Sequence, residues 1–290
     1  MPETFETHEE KLHLQILQSK VGVFVDLANI SYGGTRIRFD VLRKYAEMRG
    51  QVLRLNTYLS YDVERAETDW EYEAKANNFF ALLRDLGYHL TVKEVRWYAD
   101  HENPGRRIGK ANADMDMAVD MILQSQPLDL VIMLTGDGDF IKAVQALRNQ
   151  GKRVELIGFD NVSRALREQV DSFTSGYILP NLLASSNKSA DGEYYEWGEV
   201  GSTVRGVCYF YKPDEGFGYL SFLKRLSTDL WMTDPRNPNS PFGAAFFHDS
   251  ALPSEVNVRE LPSRKLIFEY ELGQSSRGLF ATNIRLVTHL

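Results

Sequence analysis

The chain has 290 residues, 43% of them hydrophobic and 25% charged, with a formal net charge of −7. That is enough for two modest hydrophobic cores of about 100–200 residues each, and the acidic balance argues against a polyanion binder acting through bulk charge. The longest strongly apolar runs, Val21–Val25 and Leu128–Leu134, fall far short of the roughly 18 residues that cross a bilayer. One cysteine, Cys208, and six scattered histidines provide no Cys-rich zinc site and no paired ligand spacing.

The acidic start, Met1–Glu10, has neither the basic nor the apolar region of a secretory signal, so the sequence reads as a soluble, cytoplasmic protein. Glu6–Ser19, with Leu12, Leu14, Ile16 and Leu17, reads as a helical arm over residues 1–20. It would pack on the following domain or on a partner chain, the second making a homo-oligomer. From Val21 the text alternates short apolar runs with helical patterns. The runs are Val21–Val25, Val52–Leu59, Leu90–Trp97, Leu128–Leu134 and Val154–Phe159. The helical stretches are Phe39–Arg49, Thr68–Gly87, Ala113–Ser125, Phe140–Gln150 and Ser163–Val170. This predicts an α/β domain over residues 21–183, a doubly wound parallel sheet whose ligands sit beyond the carboxyl ends of the strands.

Residues 184–200 open with ASSNKSADG, small and polar, and read as a linker. After it come Val204–Tyr211, Phe217–Phe222, Ala244–His248, Lys265–Glu271 and Leu279–Val287. These alternating, aromatic-bearing runs predict a small all-β barrel over residues 201–290, with Lys224–Pro241 as a long loop. From Trp197 onward ten basic residues face ten acidic ones, so the net acidity belongs to the N-terminal part.

The first apolar run leads directly into Asp26, Leu27, Ala28 and Asn29, and the fourth into Thr135-Gly136-Asp137-Gly138-Asp139. Asp114, Asp116 and Asp120 stand at or just inside the start of a helix. If the first and fourth strands are neighbours, these acids meet in one cleft. Clustered carboxylates repel one another unless a divalent cation neutralises them, and oxygen-only ligation favours Mg²⁺ or Mn²⁺ over zinc. Such a site suits phosphodiester hydrolysis. Each aspartate taken singly reads equally well as a helix cap or turn residue. Asp116 and Asp120 share a helix face, whereas Asp120 lies roughly 120° from Asp114.

VGVFVDLANI, ADMDMAVDMI and LTGDGDF together resemble the three motifs of the NYN domain, of the LabA-like type, a branch of the PIN-like metal-dependent nucleases. The resemblance implies a PIN-like fold with Asp26, Asp114 and Asp137 as metal-binding acids, Asn29 and Asp139 beside them, and Asp120 at the second acid of the helix motif. Basic residues near that cleft, Arg106, Arg107 and Lys110 in HENPGRRIGK and more weakly Arg36 and Arg38, are either phosphate contacts or solvated surface.

In the barrel, alternation puts Phe217 with Tyr219, and Phe246 with His248, on one face of their strands. They are core, or a platform for unstacked bases that needs little net positive charge. EGFGYLSF and AAFFHDSAL resemble the two RNA-binding motifs of a cold-shock domain, an OB-type barrel. That likeness implies base-stacking roles for Phe210, Phe217, Tyr219, Phe246 and His248. The sequence therefore points to a Mg²⁺- or Mn²⁺-dependent ribonuclease acting on single-stranded RNA, or DNA, presented by the barrel. A noncatalytic RNA-binding or regulatory protein is the alternative. An aspartate-nucleophile phosphotransferase fits less well, because Ala28 stands where such enzymes carry a second carboxylate.

Overall fold

The computed structural model describes residues 19–30, 36–99, 103, 107–160, 162–183 and 195–289. Most of the helical arm, Arg106 and most of the linker lie outside the described residues. The chain divides into two compact units. The described part of one lies within Met1–Thr35, Leu42–Gly158 and Val162–Phe173. Arg36–Val41 and the chain from Thr174 make up most of the other, with the barrel as its bulk.

The first unit is built on strands β1 (Lys20–Asp26), β2 (Gln51–Tyr61), β3 (His89–Glu94), β6 (Leu130–Leu134), β7 (Arg153–Gly158) and β8 (Ser172–Ser175), in spatial order β3-β2-β1-β6-β7-β8. From β3 through β7 every neighbouring pair is parallel. β1 is buried from Val21 to Asp26 and β6 along its whole length, as continuous apolar strings require when helices cover both sheet faces. The helices are α1 (Leu27–Ile30), α2 (Phe39–Arg49), α3 (Val63–Thr68), α4 (Trp70–Asp85), α5 (Asp114–Gln124), α6 (Ile141–Asn149) and α7 (Arg164–Gln169). Met117 and Met121, four apart on α5, are fully buried in the cluster that holds Phe24, Tyr58, Leu128 and Met133, the spacing of one helical face. Glu155, buried in β7, is held by Arg49 and Arg153.

One expected strand divides. The run Leu90–Trp97 is β3 followed, after Val95, by β4 (Arg96–Ala99), which leaves the sheet and pairs antiparallel with β5 (Arg107–Lys110). β8 and the short α3 carry too little apolar pattern to be read from the sequence.

The second unit contains a closed barrel of β9 (Thr203–Lys212), β10 (Phe217–Leu223), β11 (Phe242–His248), β12 (Ser263–Ser275) and β13 (Gly278–His289), in order β10-β11-β13-β12-β9. Every pair is antiparallel except β11 with β13. Its core holds Val204, Leu220, Phe222, Phe247, Phe268, Tyr270 and Leu272. Among the described residues no helix is long and apolar enough to cross a membrane.

Candidate functional site

β1 and β6 are neighbours, with Val25 in register with Leu134, so the chain leaves both strands at the same sheet edge. Asp26 ends β1 and is 3% exposed. Its Oδ1 accepts the Asn29 N–H at 3.1 Å, capping α1, and its Oδ2 accepts the Thr135 hydroxyl at 2.8 Å. Thr135 Oγ1 in turn accepts the Asp137 N–H at 3.1 Å. The Asn29 amide oxygen accepts the Gly136 N–H at 2.7 Å, so Asn29 ties the end of β1 to the turn after β6. Asp137 accepts the Asp139 N–H at 2.9 Å and caps the short 3₁₀ turn Gly138–Phe140. Asp114 begins α5 but does not cap it: Asn112 Oδ1 accepts the Asp114 N–H at 3.2 Å. Its carboxylate is thereby left for other work.

The acids feel one another. Burial pushes the Asp26 carboxyl up to about 6; hydrogen bonds from Asn29 and Thr135 oppose that rise, while Asp114 and Asp137 add to it. Asp114 is also raised, by burial first and then by Asp137 and Asp139. Among the described residues no lysine or arginine forms an ion pair with Asp26, Asp114, Asp137 or Asp139. Among the described residues no basic side chain compensates this negative charge, and its donors are all oxygens, which fits a hard divalent cation in charge and chemistry. The fit stops short of a finished cage: among the described residues no three His, Cys, Asp or Glu side chains are grouped to enclose an ion.

Asp116 and Asp120, also on α5, have partners of their own. Asp116 Oδ2 lies 2.7 Å from Lys93 Nζ, an ion pair without hydrogen-bond geometry, and Asp120 Oδ2 accepts the Tyr58 hydroxyl at 2.8 Å. Both raise the Tyr58 phenol above its ordinary range, after burial. Arg107 pairs with Glu64 at 2.8 Å and Arg38 with Asp40 at 2.7 Å, while Arg36 is exposed. Lys110 is the last residue of β5. Thr135, which donates to the Asp26 carboxylate and accepts the Asp137 backbone N–H, is not among the residues the sequence singles out, although it stands in the Thr-Gly-Asp turn. A polar groove of about 770 Å³ lies at the opposite sheet edge, where β7 starts. Its cations are engaged: Arg148 with Asp171, Arg153 with Glu155, and Lys152 with the carbonyls of Gln126 and Leu128.

On the barrel, Phe210, Phe217, Tyr219 and Phe246 lie outside the core set, with neighbouring ring centroids 5.8–6.3 Å apart. Phe210 is 43% and Phe246 38% exposed. His248 faces Phe217 across the ladder, and its Nδ1 is 2.9 Å from Ser250 Oγ. A bulge between Tyr219 and Leu220 skips Tyr209 in the pairing and brings its ring to 6.3 Å from Tyr219, enlarging the aromatic face.

The first unit is thus a parallel α/β domain with carboxylates at the ends of two adjacent strands. The NYN domain family matches residues 20–183, more than half the chain, and the protein belongs to that family, a branch of the PIN-like nuclease superfamily. It is 25% identical over 160 residues to the low amplitude and bright protein LabA of Synechococcus elongatus, covering 53% of this chain and 82% of LabA. A Vibrio parahaemolyticus protein of unknown function has a crystal structure at TM-score 0.46 and 21% identity, covering 58% of this chain and 98% of that one. Acinetobacter baumannii MurG aligns at TM-score 0.30 and 14% identity, over 58% of this chain and 44% of MurG.

Proposed function

We propose that this protein is a divalent-cation-dependent ribonuclease that cleaves phosphodiester bonds of single-stranded RNA, which its C-terminal barrel binds. The observation that carries the reading is the mutual charge of Asp26, Asp114, Asp137 and Asp139 at the edge of adjacent strands, uncompensated by any described lysine or arginine. Asp26, Asp114 and Asp137 would hold Mg²⁺ or Mn²⁺, with Asp139 beside them. When bound, the cation would supply charge neutralisation, polarisation of the phosphate and activation of water. Asn29 and Thr135 position the carboxylates: one fastens the two strand ends together, and the other fixes one oxygen of Asp26 and the backbone before Asp137.

Five closed strands with an exposed cluster of rings support a cold-shock-like, OB-type barrel whose Phe210, Phe217, Tyr219, Phe246 and His248 stack on unpaired bases. The balanced charge of that segment is no obstacle, since stacking needs little net positive charge. Two observations favour a second reading, a noncatalytic RNA-binding protein: Asp26 and Asp137 both serve as caps, and among the described residues no three acids are grouped around an ion position.

Labelled single-stranded RNA incubated with Mg²⁺ or Mn²⁺ separates the two. Cleavage that disappears in Asp26→Asn and Asp137→Asn while binding persists supports the hydrolase. Binding without cleavage across single- and double-stranded RNA and DNA supports the second reading.

A further inference from the structure

The β4–β5 ribbon contributes little to the core of its unit. All four residues of β4 are exposed and, among the described residues, its only strand partner is β5; a lone two-stranded ribbon is marginal in water. What secures it lies on one face. Trp97 Nε1 donates to Asp62 Oδ1 at 3.2 Å, and the Arg107 guanidinium sits 5.4 Å from the centre of the Trp97 ring while pairing with Glu64. Gly109 lies against the indole, where a Cβ would come within 3.2 Å of the ring.

Alternation puts Arg96, Tyr98 and Ile108 on the opposite face. Tyr98 is 50% and Ile108 41% exposed, and the two are in register. Arg96 is exposed and is in register with Lys110, the last residue of the ribbon. Among the described residues no ion pair or hydrogen bond engages the Arg96 side chain.

The ribbon is also close to the acids by construction. Three residues separate Lys110 from Asp114, so their Cα atoms are within about 14 Å along any path the chain takes. At its other end the Val95 N–H donates to the Tyr61 carbonyl at 2.9 Å, at the end of β2, the strand whose Tyr58 is in register with Asp26.

We propose that the outward face of this ribbon, with Tyr98, Ile108 and Arg96, is a second binding surface for single-stranded RNA, flanking the acidic cluster. Tyr98 stacks on an unpaired base with Ile108 beside it, and Arg96 contacts the phosphate backbone. An exposed arginine with no acidic partner among the described residues, beside an exposed ring, suits a polyanion with unpaired bases better than an apolar protein segment. The proposal rests on the ribonuclease reading for the identity of its ligand, and its test does not.

The full chain carrying Asp137→Asn is mixed with single-stranded RNA bearing 4-thiouridine, irradiated, and mapped by peptide mass spectrometry. Crosslinks are expected within 96–99 and 107–110. Where the barrel face is silenced by Phe217→Ala and Phe246→Ala in the full chain, Tyr98→Ala is expected to weaken the remaining RNA affinity about tenfold. Arg96→Ala weakens it as well, and Tyr98→Phe keeps it. Absence of ribbon crosslinks, or unchanged affinity in both alanine variants at an unchanged melting temperature, overturns the proposal; so does capture of a protein segment there in place of RNA. RNA on the ribbon of a chain that cuts nothing leaves the surface standing and ends the ribonuclease reading. Cleavage unaffected by the ribbon variants does the reverse.

Discussion

Asp26 is a carboxylate whose folded environment favours its proton. Burial is the main cause, with Asp114 and Asp137 adding to it, and the carboxyl rises to about 6. Because the folded state binds this proton more tightly than the unfolded chain, stability of the metal-free protein falls as pH rises from about 4 to about 6, then levels off. Asp26→Asn removes that cost. In chelator the variant should exceed the wild type in urea unfolding by about 2–3 kcal/mol at pH 7, with no gain below pH 4; a difference constant across that range contradicts the assignment. Thr135 acts in the opposite sense. Thr135→Val leaves Asp26 Oδ2 without its donor and the Asp137 N–H without its acceptor, and should cost about 1–3 kcal/mol in the same measurement. Cys208 is 1% exposed, and burial pushes its thiol up to about 12. It should resist alkylation at pH 8 until the barrel is unfolded, and rapid labelling of the native chain would contradict its placement in the core.

At the scale of elements, long periodic segments were legible. Phe39–Arg49 is a helix with the bounds its pattern implies, and the first apolar run became the buried strand β1 beside β6. That adjacency, the condition for the acids to meet, is a topological fact which a doubly wound order permits and alternation alone cannot fix. Other features depended on contacts distant in sequence. The division of Leu90–Trp97 follows from Val95 bonding to Tyr61 and from pairing with β5. The contacts of Asp116 with Lys93 and of Asp120 with Tyr58 need a helix docked on the sheet. Tyr209 joins the aromatic face because of a bulge, which reverses the side expected from strict alternation. The same barrel tests its own tightness at Gly206, where a Cβ would come within 1.7 Å of the Ser221 carbonyl oxygen. Since that obstacle is backbone, Gly206→Ala should destabilise the barrel by about 1–3 kcal/mol or more. An unchanged thermal midpoint would show that β9 and β10 are farther apart than this.

At the scale of the whole molecule, the proposed function puts a cutting unit and a holding unit on one chain. RNA retained by one raises its local concentration at the other, so neither needs to bind tightly alone. Removing rings from the barrel face by Phe217→Ala and Phe246→Ala in the full chain should therefore raise KM for single-stranded RNA while leaving kcat nearly unchanged. A fall in kcat at constant KM would place those rings elsewhere in the reaction. Behind that division of labour stands the proposal that the aspartates at the ends of β1 and β6 and at the start of α5 hold a cation. Manganese reports on it directly, because its paramagnetic resonance signal diminishes when the free ion is bound. Titration of the full chain at pH 7.5 should show a saturable Mn²⁺ site, displaced by Mg²⁺ and lost in Asp26→Asn and Asp137→Asn; equal uptake by those variants, or none by the wild type, would contradict it.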